Sequence, residues 1–156
     1  MAPLRSLFAA LALTLGLGGL VMGGMRAEAG TLYISVEDGV AIGGYDPVSF
    51  FLAAHPQQGH TDHVLMWKGA VWRFVSDENR LRFESNPRAY APRFGGHCAY
   101  GIARGHVVAG DPLIWEIVDG RLYMFNSQRA VAQWHEAQAA LIHEASDHWP
   151  EIMRSR

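Results

Sequence analysis

Cysteine is almost absent from this sequence, since Cys98 is the single one among 156 residues. One thiol cannot form a disulfide within its own chain, so the fold depends on a packed core, which a content of 49% hydrophobic residues can supply. The chain also lacks the paired cysteine spacing of structural zinc sites, and it has no nucleophile elbow, phosphate loop or zinc-protease motif. These absences exclude a disulfide-stapled fold and the enzyme classes that those motifs define.

Clustered positive charge is absent as well. The chain has 13 lysine and arginine residues against 15 aspartate and glutamate residues, which gives a formal net charge of −2. Proteins that bind nucleic acid need a basic patch to neutralise phosphates, and no Lys/Arg-rich run occurs here. Nucleic acid is therefore excluded as an expected partner.

Long apolar runs are confined to the first thirty residues. Arg5 precedes an apolar run at residues 7–21, and the small-x-small pattern Ala27-Glu28-Ala29 follows it. The run is shorter than the roughly 20 residues that a membrane-spanning helix needs, which disfavours an anchor. This order is typical of a secretory signal peptide. It predicts cleavage after Ala29 and a mature periplasmic protein, without a membrane span, that begins at Gly30.

Two hairpins organise the predicted mature domain, residues 30–156. The first joins His63–Trp67 to Ala70–Val75 through Lys68-Gly69, and the second joins Ile114–Val118 to Arg121–Phe125 through Asp119-Gly120. Alternating apolar residues and the Asp-Gly turn are typical of such hairpins. No internal repeat is visible in the sequence. The pattern predicts one α+β domain with a small antiparallel sheet of hairpins packed with helices.

Helices are predicted between and after the hairpins. Asp46 and Ser76 are placed to cap the two helices that flank the first hairpin, and a short helical turn is expected from Cys98 to Ala103. Ser127 is placed to cap a single final helix that ends at Trp149-Pro150.

Cys98 is the first candidate for a working residue because it ends the turn Gly95-Gly96-His97-Cys98. The two glycines allow a tight turn and close approach of the backbone. If Cys98 begins a helical turn, backbone N–H groups there would stabilise a thiolate. The alternative is a small buried side chain that packs like alanine, because unpaired cysteine is among the most buried residue types.

Four histidines are the candidate partners of Cys98 in a metal site. His97 adjoins it, His106 follows shortly after, and His60 and His63 lie three residues apart. On a turn His60 and His63 could face one ion, whereas in an extended strand they would lie about 10 Å apart on opposite faces. Thiolate and imidazole suit a soft ion such as Cu(I), and no strong zinc spacing occurs. The predicted ion is a transition metal, copper before zinc.

The order of short motifs over residues 39–149 closely resembles the exported, stand-alone proteins of the YHS-domain family. The motifs that carry this resemblance are Gly44-Tyr45-Asp46-Pro47-Val48, Trp72-Arg73-Phe74-Val75-Ser76, Asn86-Pro87, Tyr90-Ala91-Pro92, Gly95-Gly96-His97-Cys98-Ala99-Tyr100, Trp115, Asp119-Gly120-Arg121-Leu122-Tyr123 and Trp134. The glycine-led turn between the Asn-Pro segment and the Asp-Gly hairpin is the most specific of them.

The resemblance implies a treble-clef-like domain with a role in metal handling. Short YHS modules occur in copper-transporting ATPases and in some oxygenases, and there a Cys-Gly-Met segment follows the Asp-Pro pair. Here Val48-Ser49-Phe50 follows Asp46-Pro47, so Cys98 is left as the matching soft ligand. Many exported relatives have an aromatic residue where His97 stands.

Three functions are therefore open, and the sequence favours them in the following order. The first is binding of a transition metal through Cys98 and nearby histidines. The second is a small-ligand or protein interaction module, in which Cys98 packs and Tyr45, Phe94 and Tyr100 line a small pocket. The third is a thiol-based redox enzyme with Cys98 as the reactive thiolate; a binding protein is favoured over an enzyme.

Overall fold

The computed structural model describes residues 33–53 and 55–155. The predicted signal peptide, residues 1–29, lies outside these ranges. Within them, no helix has the length and apolar content that crossing a membrane requires. The chain forms an α+β fold in which small sheets of antiparallel hairpins pack with helices, which confirms the predicted coarse fold class.

The strands of the described residues form two separate sheets. The strands are β1 (Val36–Glu37), β2 (Val40–Ala41), β3 (His60–Trp67), β4 (Ala70–Phe74), β5 (Asp111–Val118) and β6 (Arg121–Phe125). The first sheet has the order β1-β2-β4-β3, and β5 and β6 make the second. One pair, β2 with β4, is parallel, so the first sheet is mixed rather than wholly antiparallel.

The α-helices of the described residues lie before, between and after the two hairpins. They are α1 (Ser49–Leu52), α2 (Asp77–Ser85), α3 (Pro87–Tyr90), α4 (Ala99–Ala103), α5 (Gln128–Glu136) and α6 (Gln138–Arg154). The predicted caps are confirmed for two of them. The Ser76 hydroxyl accepts the Asn79 N–H at the start of α2, and the Ser127 hydroxyl accepts the Ala130 N–H at the start of α5, both at 3.2 Å.

Both hairpins, with the helices that follow them, have the same plan. β3 and β5 have 8 residues each, β4 and β6 have 5, and α2 and α5 have 9. β5 begins 51 positions after β3 (Asp111 after His60), and β6 and α5 follow β4 and α2 by the same interval. The pairing register shifts between His60 and Val64 in β3 and between Asp111 and Trp115 in β5. The chain therefore contains an internal structural repeat that the sequence analysis missed.

A left-handed turn precedes each hairpin. In the first turn the φ angles of Ile42, Gly43 and Gly44 are 44°, 61° and 78°; in the second, those of Phe94, Gly95 and Gly96 are 53°, 63° and 84°. The left-handed conformation costs a residue with a side chain about 1–2 kcal/mol. Ile42 and Phe94, which have different side chains, adopt this conformation at the first position of the two turns. We call residues 42–85 the first unit and residues 94–136 the second unit.

Very few residues are identical when residues 60–85 are aligned with residues 111–136. The identical pairs are the turn glycines Gly69 and Gly120, the strand-end Phe74 and Phe125, and the capping Ser76 and Ser127. Each identical residue meets a local need: a positive φ in the hairpin turn, a core aromatic ring, or a helix cap. Because the other positions differ, the repeat is invisible to sequence inspection.

Each unit has an aromatic core built from matching positions. The core aromatics are Trp72, Phe74 and Phe83 in the first unit and Tyr123, Phe125 and Trp134 in the second. The rings of Trp72 and Phe83 lie 5.0 Å apart, and those of Tyr123 and Trp134 lie 5.4 Å apart. Such ring pairs contribute about 0.5–1.5 kcal/mol each beyond the burial of apolar area. The two cores therefore have aromatic rings at matching positions and at similar distances, although the residue types differ at two of the three positions.

The prediction of one final helix ending at Trp149-Pro150 was wrong. Two helices, α5 and α6, meet at Ala137, whose φ of −151° and ψ of 43° are not helical. Pro150 lies inside α6, which continues to Arg154. A proline inside a helix costs about 3 kcal/mol or more, and the packing of Trp149 and Ile152 against the second core offsets that cost. Tertiary contacts thus override the local stop signal.

Candidate functional site

Cys98 begins α4, as the sequence predicts, and its sulfur makes two hydrogen bonds. The sulfur accepts the Gly101 N–H at 3.5 Å, and the thiol donates to the side-chain oxygen of Asn126 at 3.4 Å. Cys98 is only 1% exposed. The thiol is therefore held in one place by the first turn of its own helix and by the residue that follows β6.

Asp46 occupies in the first unit the place that Cys98 occupies in the second. The Asp46 N–H donates to the Gln57 carbonyl at 2.8 Å, and the Cys98 N–H donates to the Val108 carbonyl at 2.8 Å. The residue before each makes an isolated antiparallel bridge, in the first unit to the residue after Gln57 and in the second to the residue after Val108. The two side chains therefore project from equivalent backbone positions.

The Asp46 carboxylate is fully buried and accepts three hydrogen bonds. One oxygen accepts the Val48 N–H at 2.8 Å, and the other accepts the Val75 N–H at 2.9 Å and the Asn79 side-chain amide at 2.7 Å. A buried carboxylate needs such partners to offset its lost hydration. The predicted cap by Asp46 was wrong, since α1 begins at Ser49 with Val48 as its cap and without a side-chain cap bond. The bonds of the carboxylate to Val75 and Asn79 were missed.

We call Asp46 and its three hydrogen-bond donors the Asp46 clamp. In the second unit, an alanine stands at the position that Asn79 has in this clamp. Ala130 corresponds to Asn79, and Asn126 corresponds to Val75. The alanine side chain ends at Cβ and carries no hydrogen-bonding group, and the side-chain amide that contacts Cys98 comes from Asn126 instead. A cavity of about 650 Å³ lies at this place, and Cys98, Asn126 and Ala130 line it.

Positive charge dominates the walls of the Cys98 cavity. Arg104 and Arg129 line it, and no aspartate or glutamate is among its described lining residues. Ser127, Arg129 and Ala130 belong to the amino end of α5, where the helix dipole adds partial positive charge. Glu144, which lies outside the lining, pairs with Arg104, so Arg129 and the amino end of α5 supply the positive charge that no described carboxylate balances.

Arg104 is held in place by its neighbours. Its guanidinium lies 3.0 Å from Glu144 and 5.4 Å from the ring centre of Tyr100. The hydrogen bond with Tyr100, followed by the charge of Glu144, raises the pKa of Arg104, so this group stays a cation. Tyr100, with Val108, also gives the cavity an apolar wall. A ligand with a charged end and an apolar body fits this lining.

The predicted partner histidines of Cys98 separate into different places. His106 lines the Cys98 cavity, together with Cys98 itself. His97 is buried, and its ring centre lies 5.8 Å from that of Trp149, which lines a different cavity. The structure thus brings His106, rather than the adjacent His97, to the cavity beside the thiol.

His60 and His63 lie together on β3, away from the residues of the Cys98 cavity. The register shift between His60 and Val64 breaks the regular strand, and the two ring centres lie 6.5 Å apart. His63 is 3.4 Å from the Asp77 carboxylate. Across residues 33–53 and 55–155, no three or more His, Cys, Asp and Glu side chains are grouped so that one metal ion could be held.

The predicted pocket around Tyr45, Phe94 and Tyr100 is divided between two cavities. Tyr100 lines the Cys98 cavity, whereas Phe94 lines a second one and Tyr45 lines neither. Sequence reasoning also missed Arg104, Asn126, Arg129 and Ala130 as neighbours of Cys98. For Asn126, Arg129 and Ala130 the available signal was the predicted Ser127 cap, which places them at the start of a helix, whereas Arg104 had no such signal.

Comparisons of the chain with protein-family models, with curated proteins and with solved structures found no match. The resemblance to the YHS-domain family therefore stays a prediction.

Proposed function

We propose that this protein binds a small organic anion in the Cys98 cavity. The proposal rests on one difference between the two units. In the first unit the Asp46 carboxylate is surrounded by hydrogen-bond donors, whereas the matching place in the second unit is a cavity lined by two arginines. Arginine pairs with carboxylate and related anions through parallel N–H donors. A cavity with positive charge and no described acidic wall residue favours an anion over a neutral or cationic ligand.

The dimensions of the cavity suit a small molecule. Its volume of about 650 Å³ lies within the range of roughly 300–1,000 Å³ that is usual for small-molecule sites. The arginines would bind the charged end of the ligand, and Tyr100, Val108 and Ala130 would contact its apolar body. Cys98, at the start of α4, would form part of the cavity wall, held by its two hydrogen bonds, and its thiolate charge would not be needed for binding.

Benzoate, which joins a carboxylate to an apolar ring, is a suitable first probe. In a titration followed by amide NMR, we expect shifts at Gly101 and Ala130 and none at Gly69. Removing one charge-assisted contact with Arg129→Gln should weaken binding about tenfold or more. The matched control is Arg154→Gln, which removes the same charge from the exposed end of α6, outside both cavities.

Alkylation of Cys98 by iodoacetamide gives a second readout: the sulfur is only 1% exposed, so the reaction requires local opening, and a bound ligand should make that opening rarer. The proposal fails if benzoate, acetate and succinate all leave Gly101, Ala130 and the alkylation rate unchanged. Equal weakening by Arg129→Gln and Arg154→Gln would also contradict it, since that result would indicate attraction by net charge alone.

A second candidate function is binding of a soft metal ion, and one observation favours it: Cys98 and His106 line the same cavity. These two residues would hold the ion, which fits a low-coordinate ion such as Cu(I) better than zinc, whose sites use three or four protein ligands. A competition titration with Cu(I) should show binding by the parent protein and loss in Cys98→Ala. Unchanged affinity in Cys98→Ala would remove this candidate, whereas benzoate binding should survive that substitution.

We also propose that the mature chain works in the periplasm as a treble-clef-like member of the YHS-domain family. The leader pattern supports the location, and the order of motifs supports the family. Expression of the full chain with its own leader should give an exported protein whose first residue is Gly30. Retention of residues 1–29 in the purified protein would contradict the predicted cleavage.

A further inference from the structure

A second cavity, which shares no lining residue with the Cys98 cavity, gathers four basic side chains. Lys68, Arg88, Arg93 and Arg121 line this cavity of about 420 Å³. They come from the first hairpin turn, from α3, from the second glycine-led turn and from the start of β6. No aspartate or glutamate is among the described lining residues. We call this site the basic cavity.

Carboxylates neutralise other basic side chains of the protein but not these four. Arg80, Arg82 and Arg104 each pair with a glutamate at 2.6–3.0 Å. Within residues 33–53 and 55–155, no ion pair includes any of the four side chains of the basic cavity. The chain has more acidic than basic residues, so composition alone does not account for this concentration of positive charge.

Lys68 is held over the cavity by aromatic rings. Its ammonium nitrogen lies 4.5 Å from the ring centre of Tyr33 and 4.7 Å from that of Trp67. Contacts of this kind are worth about 0.5–1 kcal/mol at exposed sites and fix the direction of the side chain. Burial, and then the positive charge of Arg88, lowers the pKa of Lys68. A bound anion would raise the pKa of Lys68, because it would stabilise the charged ammonium group.

The backbone beneath the basic cavity is held in one conformation by a hydrogen bond and by close packing. Arg121 donates to the carbonyl of Arg88 at 3.1 Å, which joins two of the basic residues. A Cβ atom at Gly95 would lie 1.7 Å from the carbonyl oxygen of Tyr33, so only glycine fits there. Next to it, Phe94 has a φ of 53°, a conformation that costs a residue with a side chain about 1–2 kcal/mol. The cavity floor is therefore formed before any ligand binds.

We propose that the basic cavity is a binding site for a phosphoryl anion, either pyrophosphate or a phosphate ester. Four cations without a carboxylate call for a ligand with more than one negative charge. Arginine side chains match phosphate oxygens with paired N–H donors, and lysine adds a point charge. The rings of Phe94 and Trp149 in the same lining offer flat surfaces for the organic part of an ester. This proposal is independent of the one made for the Cys98 cavity.

Titration of the purified protein with sodium pyrophosphate, followed by amide NMR at low ionic strength, tests the site. We expect the largest shifts at Lys68 and Gly95, with Gly101 and Ala130 unchanged. Arg93→Gln and Lys68→Gln should each lower the affinity about tenfold or more, as loss of a hydrogen bond to a charged group does. Both residues are exposed, so neither change should unfold the protein. Arg154→Gln should change the affinity less than about twofold, since exposed charges that lie apart are screened.

Three further probes separate the sources of the anion. Inorganic phosphate and phenyl phosphate report whether one phosphoryl group suffices and whether an aromatic ester adds affinity. Citrate carries several carboxylates and no phosphorus. Binding of citrate as tight as that of pyrophosphate would overturn the phosphoryl assignment. Shifts located away from Lys68 and Gly95, no binding, or equal weakening by Arg154→Gln would overturn the site itself.

Discussion

The first and second units have the same backbone plan, yet they differ where each glycine-led turn meets its hairpin. In the first unit, Asp46 is a buried carboxylate with three hydrogen bonds, two of which join the turn to Val75 after β4 and to Asn79 in α2. In the second, Cys98 makes two weaker bonds beside a cavity. A few different side chains thus leave one unit closed and give the other a cavity.

The difference follows from two exchanged pairs of side chains, Asp46 with Cys98 and Asn79 with Ala130. A carboxylate accepts several hydrogen bonds at once, whereas a thiol is a weak donor and a weak acceptor. Asn79 reaches Asp46, and Ala130 at the matching position cannot reach Cys98. We expect the first unit to contribute more to the free energy of unfolding and the second unit to contribute the ligand affinity.

Removal of the Asp46 carboxylate should have the largest effect on stability. Asp46→Ala leaves two backbone N–H groups and the Asn79 amide without their acceptor, and we expect a loss of about 3–5 kcal/mol. Cys98→Ala removes one buried sulfur and should cost about 1 kcal/mol. Urea denaturation of the two variants and the parent measures both values. Equal losses would refute the division of roles between the units.

Restoring the asparagine in the second unit should close its cavity. Ala130→Asn places an amide where Asn79 lies in the first unit, so benzoate binding should fall about tenfold or more, and stability should change by less than about 1 kcal/mol. The matched control is Ala132→Asn, the same change on an exposed face of α5. Undiminished binding by Ala130→Asn would show that the cavity does not arise from this exchange.

The helix caps should have the smallest effect, and it should be the same in both units. Ser76→Ala and Ser127→Ala each remove an acceptor for one N–H at a helix start and should cost about 1 kcal/mol. Ser155→Ala, at the exposed end of α6, should change stability by less than about 0.5 kcal/mol. Thermal denaturation compares the three variants. A cap loss confined to one unit would argue against the equivalence of the two helices.

Much of the fold could be predicted because its signals are local. Lys68-Gly69 and Asp119-Gly120 adopt the positive φ angles of tight hairpin turns, and Ser76 and Ser127 cap the helices as expected. The break at Ala137 and the survival of α6 through Pro150 could not be predicted, because packing against the second core decides them.

Less of the candidate site could be predicted. The sequence singled out Cys98 and its helical start, and it placed His106 among several candidate partners. Arg104 and Arg129 were passed over, because an exposed arginine has no local pattern that marks it as a ligand contact. The basic cavity was missed for the same reason, since Lys68, Arg88, Arg93 and Arg121 are far apart in the chain.

The turns, the caps and the alternation of apolar residues follow from the amino-acid order, because each of these depends on neighbours within a few positions. Tertiary structure alone decided that Asp46 and Cys98 occupy equivalent places and that two separate sets of positive side chains line cavities. The physical reason is that a cavity and its charge come from side chains on different elements, whose distances are fixed only when the cores pack.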